Sequence, residues 1–97
     1  MSIIDFLSEL ETTKDIELLR KYYNSENIIH RIYVARNINC PIEILEKLSD
    51  DENIHIMLSL VNNENFPFSL LKKIYKNDFF YRSLIEKHPN WKLSDFE

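Results

Sequence analysis

Glycine is absent from this chain, and alanine and cysteine occur once each. Without glycine there is no glycine-rich phosphate cradle and no stretch that reads as a flexible linker. A single Cys40 excludes an intramolecular disulfide and any cluster needing several thiolates. A reducing compartment is the simpler expectation. Met1-Ser2-Ile3-Ile4-Asp5-Phe6 lacks the basic start and long apolar core of a secretory leader. No apolar run approaches the ~20 residues of a membrane span. The expectation is a cytoplasmic protein with no membrane partner.

Net charge is −4 with a pI near 5.4, so a phosphate backbone is not the default partner of this chain. Ninety-seven residues allow one domain, near the lower end of sizes that fold without staples. Isoleucine, asparagine and lysine are abundant beside the lone alanine. That bias fits an AT-rich genome such as a low-GC bacterium or its phage.

What the chain does contain is a repeat. Asn39-Cys40-Pro41-Ile42-Glu43-Ile44-Leu45-Glu46-Lys47-Leu48 returns 26 positions later as Asn65-Phe66-Pro67-Phe68-Ser69-Leu70-Leu71-Lys72-Lys73-Ile74. A fixed period of this size marks stacked helical units. Alignment on the Asn-x-Pro step gives repeats 16–41, 42–67 and 68–92. Leu19, Leu45 and Leu71 then share a column, continued by Phe96. Leu18, Ile44 and Leu70 form a second, and Tyr22, Leu48 and Ile74 a third. Apolar side chains at i, i+1 and i+4 lie on one face of a helix.

Each unit therefore predicts a helix A of about ten residues, ending at Asn24-Ser25, Asp50-Asp51 or Lys76-Asn77. A helix B follows over Ile28–Asn37, Ile54–Asn63 and Phe79–Lys87, with Asn27, Asn53 and Asp78 as N-caps. Pro41 and Pro67 force a fresh start at the next unit. Ile3, Ile4, Leu7 and Leu10 space out as an amphipathic helix. Residues 1–12 are thus expected to cap the first unit, and 93–97 to seal the last as a truncated A helix. The expected fold is a single all-α domain of about seven short helices.

The runs Val34-Ala35-Arg36-Asn37-Ile38-Asn39-Cys40-Pro41 and Ile42-Glu43-Ile44-Leu45-Glu46-Lys47-Leu48 resemble the variant leucine-rich repeat. That family is similar to HEAT and armadillo solenoids. Its apolar-Ala-x-Asn-Pro-Asn-x-Pro turn leads into an x-Glu-Leu-Leu helix, and the likeness covers about residues 16 to 96. His88-Pro89-Asn90 keeps the family's proline where Ile38 and Glu64 do not, and Lys92 stands where Pro41 and Pro67 do. The resemblance implies a short right-handed α-solenoid of about three two-helix repeats, period 25–26, with a binding or scaffolding role. The cysteine-rich metal-cluster segments of some members have no counterpart here.

Catalytic groupings are sparse. His30, His55 and His88 do not pair at i+3 or i+4, and no His-Glu-x-x-His spacing exists. His30 shares a column with Ile56 and Tyr81, which reads as a half-buried structural histidine; His88 replaces Asn37 and Asn63 at a turn. Cys40 aligns with Phe66 and Trp91 and reads as an apolar filler. Ser49-Asp50-Asp51-Glu52-Asn53 lacks the alternating ligands and glycine of a calcium loop. The expectation is no enzyme, no metal and no cofactor.

Two ladders remain. Lys21, Lys47 and Lys73 occupy one column on helix A and, with Arg20, Lys72 and Lys76, offer a basic strip to a nucleic acid. Helix dipoles favour lysine at those C-terminal positions regardless of partner, and Glu46, Asp50 and Asp51 interrupt the strip. The second ladder is the helix B side opposite Val34 and Ala35. It carries Ile29, Ile32, Tyr33 and Arg36, then His55, Leu58, Ser59 and Asn62, then Phe80, Ser83, Leu84 and Lys87. Phe79 and Tyr81 join Phe80 as candidate aromatic anchors. An apolar stripe rimmed by polar residues marks a protein contact, whereas deeper-lying B helices would make the same stripe core. The preferred reading is a small adaptor or inhibitor that docks on a protein partner or on a second copy. One concrete version is a phage or mobile-element protein that blocks a host defence complex. Nucleic-acid binding through the lysine column is the alternative.

Overall fold

The structure is a computed structural model that describes residues 2–92. These residues form seven α-helices and one 3₁₀ turn, with no strand among them. In chain order they are α1 (Ile3–Thr12), α2 (Ile16–Tyr22), α3 (Ile28–Arg36), α4 (Ile42–Leu48), α5 (Ile54–Asn62), α6 (Phe68–Asn77), the 3₁₀ turn Phe79–Tyr81 and α7 (Arg82–Glu86).

Local chemistry sets the starts. Ser2 and Asp5 form a reciprocal capping box on α1, while Asp15, Asn27 and Asn53 accept backbone N–H groups at the starts of α2, α3 and α5. Asp78 does the same for Phe80 at the 3₁₀ turn. Pro41 and Pro67 stand in extended backbone immediately before α4 and α6, and no side chain caps those two helices.

The ends differ from the usual left-handed glycine stop, because no residue among those described has positive φ. At the ends of α3 and α5 the backbone turns extended at Asn37 and Asn63, and each side chain folds into the protein. Asn37 donates to the carbonyl oxygens of Leu10 (2.8 Å) and Thr13 (2.9 Å) and accepts from the Asn39 N–H (2.7 Å). Asn63 repeats this one unit on. It donates to Ala35 (2.9 Å) and Asn37 (3.0 Å) and accepts from Asn65 N–H (2.9 Å). Asn39 and Asn65 likewise donate to the carbonyls of Thr12 and Ile38, and Asn90 donates to those of Glu64 and Phe66. These bonds satisfy carbonyls that a helix end otherwise leaves without partners. They also join the turn after α3 to the end of α1, the turn after α5 to that after α3, and Asn90 to the turn after α5.

Accordingly α1 packs on α3, α3 on α5 and α5 on α7. The helices between them cover one side: α2 on α3, α4 on α3 and α5, α6 on the 3₁₀ turn and α7. The molecule measures 48 × 22 × 19 Å. Its core threads through every helix: Leu10, Leu19, Val34, Ala35, Leu45, Ile56, Leu60, Phe66, Leu71 and Ile85 are fully buried. Leu19, Leu45 and Leu71, placed in one column by the sequence spacing, are all fully buried.

Three expectations need correction. Helices α2 and α4 have seven residues each, shorter than the ten expected, because the chain turns before Asn24 and before Asp50. The third B helix is broken, running three residues of 3₁₀ before five of α. Tyr81, expected on the partner-binding surface, is 5% exposed and belongs to the core. It holds the place of Ile56, which is fully buried, and burial together with the nearby Asp78 carboxylate raises its phenol above the ordinary value. The expected cap at 93–97, with Phe96, lies outside the described residues.

Candidate protein-docking face

The N-terminal turns of α1, α3, α5 and the Phe79–Tyr81 segment carry apolar side chains at equivalent places. Ile4 is 78% exposed, Ile29 42%, Phe80 61% and Phe79 80%, and Ile3 and Ile54 are exposed beside them. His55, also exposed, interrupts the series on α5. Solvent-exposed isoleucine and phenylalanine in one row leave apolar area in contact with water, at a cost of roughly 25 cal/mol per Å².

Half a helix further along, Ile32 and Leu58 are half-buried. One flank of each packs on the core, and the other lines a groove of about 540 Å³ between α3 and α5. Arg36, His55, Ser59, Asn62 and Glu11 complete that groove. Five residues expected at a partner site therefore converge: Ile32, Arg36, His55, Leu58 and Asn62. Arg36 is held in place, paired with Glu11 of α1 at 3.1 Å and resting on the Tyr33 ring at 4.8 Å. Tyr33 also borders a smaller hollow with Ile4, Leu7, Ser8 and Glu11, so the face continues onto α1.

At the other end, the Arg82 guanidinium lies 3.9 Å from the Phe79 ring centre and 4.5 Å from that of Tyr75, and donates to the Tyr75 carbonyl at 2.7 Å. Arg82 thus joins the exposed Phe79 ring to Tyr75 of α6. Phe80 meets Tyr81 edge-on at 5.0 Å.

Reading from the sequence missed the contribution of Ile3 and Ile4, which it assigned to a cap. The signal was present in the 25-residue step from Ile4 to Ile29.

The lysine column is differently placed. Lys21, Lys47 and Lys73 are all exposed. Lys73 pairs with Asp50 of the preceding unit at 3.3 Å, and Arg20 pairs with Glu43 of the following one. Lys21 lies over Tyr22 and Lys47 over Tyr23, at 5.6 and 5.4 Å from the ring centres. Carboxylates thus pair with Arg20 and Lys73, while Lys21 and Lys47 rest on aromatic rings.

Two of the three histidines serve the fold. The His30 ring bonds Ser25 Oγ at 2.9 Å and meets Phe6 and Tyr22 edge-on. His88 is buried in the asparagine ladder. Burial pushes the Cys40 thiol up to about 12, the opposite of a nucleophile's activation. Among the described residues, no group of three His, Cys, Asp or Glu side chains could hold a metal ion, and no helix is long and apolar enough to cross a membrane.

No family model, no curated protein and no solved structure matches this chain.

Proposed function

We propose that this chain is a short right-handed α-solenoid of the variant leucine-rich repeat type, with α1 as its N-terminal cap. It acts without catalysis as a protein-binding module. The observation that carries this reading is the row of exposed Ile4, Ile29 and Phe80 beside the Ile32–Leu58 groove. Exposed apolar side chains in one row, broken at His55 and rimmed by Arg36, Glu11 and Asn62, have the anatomy of an interface core with a polar edge. The mechanism is occlusion or scaffolding. The face covers a site on its partner, or holds two proteins together, as an inhibitor or adaptor of the kind a phage directs at a host complex.

The test is affinity capture from the native host with the wild-type chain and with Phe80→Glu and Leu58→Glu, checked for unchanged helicity by circular dichroism. A partner retained by the wild type and lost by both variants supports the reading. Capture indifferent to both substitutions removes it.

A further inference from the structure

The ladder gives the face a register, and the register makes it self-complementary. Asn37, Asn63 and His88 occupy equivalent rungs, so the residues before them, Arg36, Asn62 and Lys87, are equivalent too. The carbonyls of Leu10 and Ala35 accept the same bond from successive rungs, which adds Glu11 to that column. From α1 to α7 the column therefore reads acidic, basic, neutral, basic. The row beside it reads Ile4, Ile29, His55, Phe80, aliphatic at one end and aromatic at the other.

We propose that the occupant of this face is a second copy of the chain, packed antiparallel about a dyad between α3 and α5. The proposal rests on the protein-docking reading above and names its partner. A dyad there exchanges first and fourth positions and second and third. Glu11 then faces the second copy's Lys87, Arg36 faces Asn62, and Ile4 faces Phe80. Glu11 and Arg36 already pair within each chain, so the parallel two-fold arrangement would set Lys87 against Lys87 with no opposite charge gained, and like charges in register are unfavourable. Isologous pairing is the commonest oligomer symmetry. The two α3–α5 grooves, each lined by Ser59 and Asn62, meet at the dyad.

Sedimentation equilibrium of the full chain over a wide concentration range tests this. The expected mass is twice 11.7 kDa. Lys87→Glu and Glu11→Lys should each weaken the dimer roughly tenfold or more, and the double exchange should restore it. Phe80→Glu should give a folded monomer. A wild-type monomer at every concentration overturns the proposal. So does a dimer that ignores Phe80→Glu, or a double exchange that fails to rescue. A monomeric wild type whose capture of another protein is lost in Phe80→Glu keeps the docking face and sinks the homodimer. If neither mass nor capture responds to Phe80→Glu, both readings fall.

Discussion

His88 Nε2 lies 2.7 Å from the carbonyl oxygen of Asn63, and His88 Nδ1 accepts the Asn90 N–H at 3.0 Å. The second contact fixes the tautomer, since a nitrogen that accepts a backbone N–H leaves the proton on Nε2. The imidazole thus reproduces two of the three bonds that the Asn63 amide makes, one donor to the preceding turn and one acceptor for the residue two on. His88→Asn should therefore retain most of the stability. His88→Ala should lose roughly 1–3 kcal/mol for each group left buried without a partner. Urea denaturation of the three proteins checks the order.

Asn63 holds the central rung, nearly fully buried, with two bonds donated and one accepted. Asn63→Asp keeps the shape but turns a double donor into a carboxylate aimed at two carbonyl oxygens. The loss should exceed about 3 kcal/mol, which for a domain of this size lowers the melting temperature by more than about 10 °C. Calorimetry or thermal circular dichroism reads it directly.

Leu58 and Leu60 separate surface from core on one helix. Leu60 is fully buried, whereas Leu58 lines the groove. Leu60→Ala should cost about 2–5 kcal/mol, and Leu58→Ala less than half of that. Equal losses in chemical denaturation would mean that the groove residue is core.

Cys40 should add an alkaline limb to the stability profile. Its thiol ionises near 9.0 when unfolded and near 12 in the fold, because burial disfavours the thiolate. The unfolded chain therefore releases the proton first. The contribution is complete below 9.0 and is lost as pH climbs from there to about 12. Cys40→Ala should remove that part of the slope, and thiol reagents at pH 8 should modify the native protein only as fast as it opens.

Much of the fold was legible because its punctuation is local. Asn27, Asn53 and Asp78 act as caps from their own positions, and Pro41 and Pro67 mark where α4 and α6 begin. The spacing of Leu19, Leu45 and Leu71 carried the core. The roles of Asn37 and Asn63 were not legible beyond a turn, since their partners lie 24 to 28 residues away and depend on how the units abut. Tyr81 was misplaced for a related reason. Its neighbours Phe79 and Phe80 are exposed, and counting three aromatics together outweighed the column it shares with Ile56. The 3₁₀ winding at Phe79–Tyr81, tighter than an α-turn, sends the two phenylalanines outward and the tyrosine inward. Of the candidate site, the pattern supplied Ile32, Arg36, His55, Leu58 and Asn62. The Glu11–Arg36 pair that joins α1 to them required the packing of α1 on α3.

The most direct measurement is a residue-by-residue map of amide chemical shifts, dilute against concentrated and then with any captured partner. Docking through the described face predicts changes clustered at Ile4, Ile29, Ile32, Leu58 and Phe80. Changes confined to Lys21, Lys47 and Lys73, or to the exposed turn at Ile38 and Ile42, would contradict it.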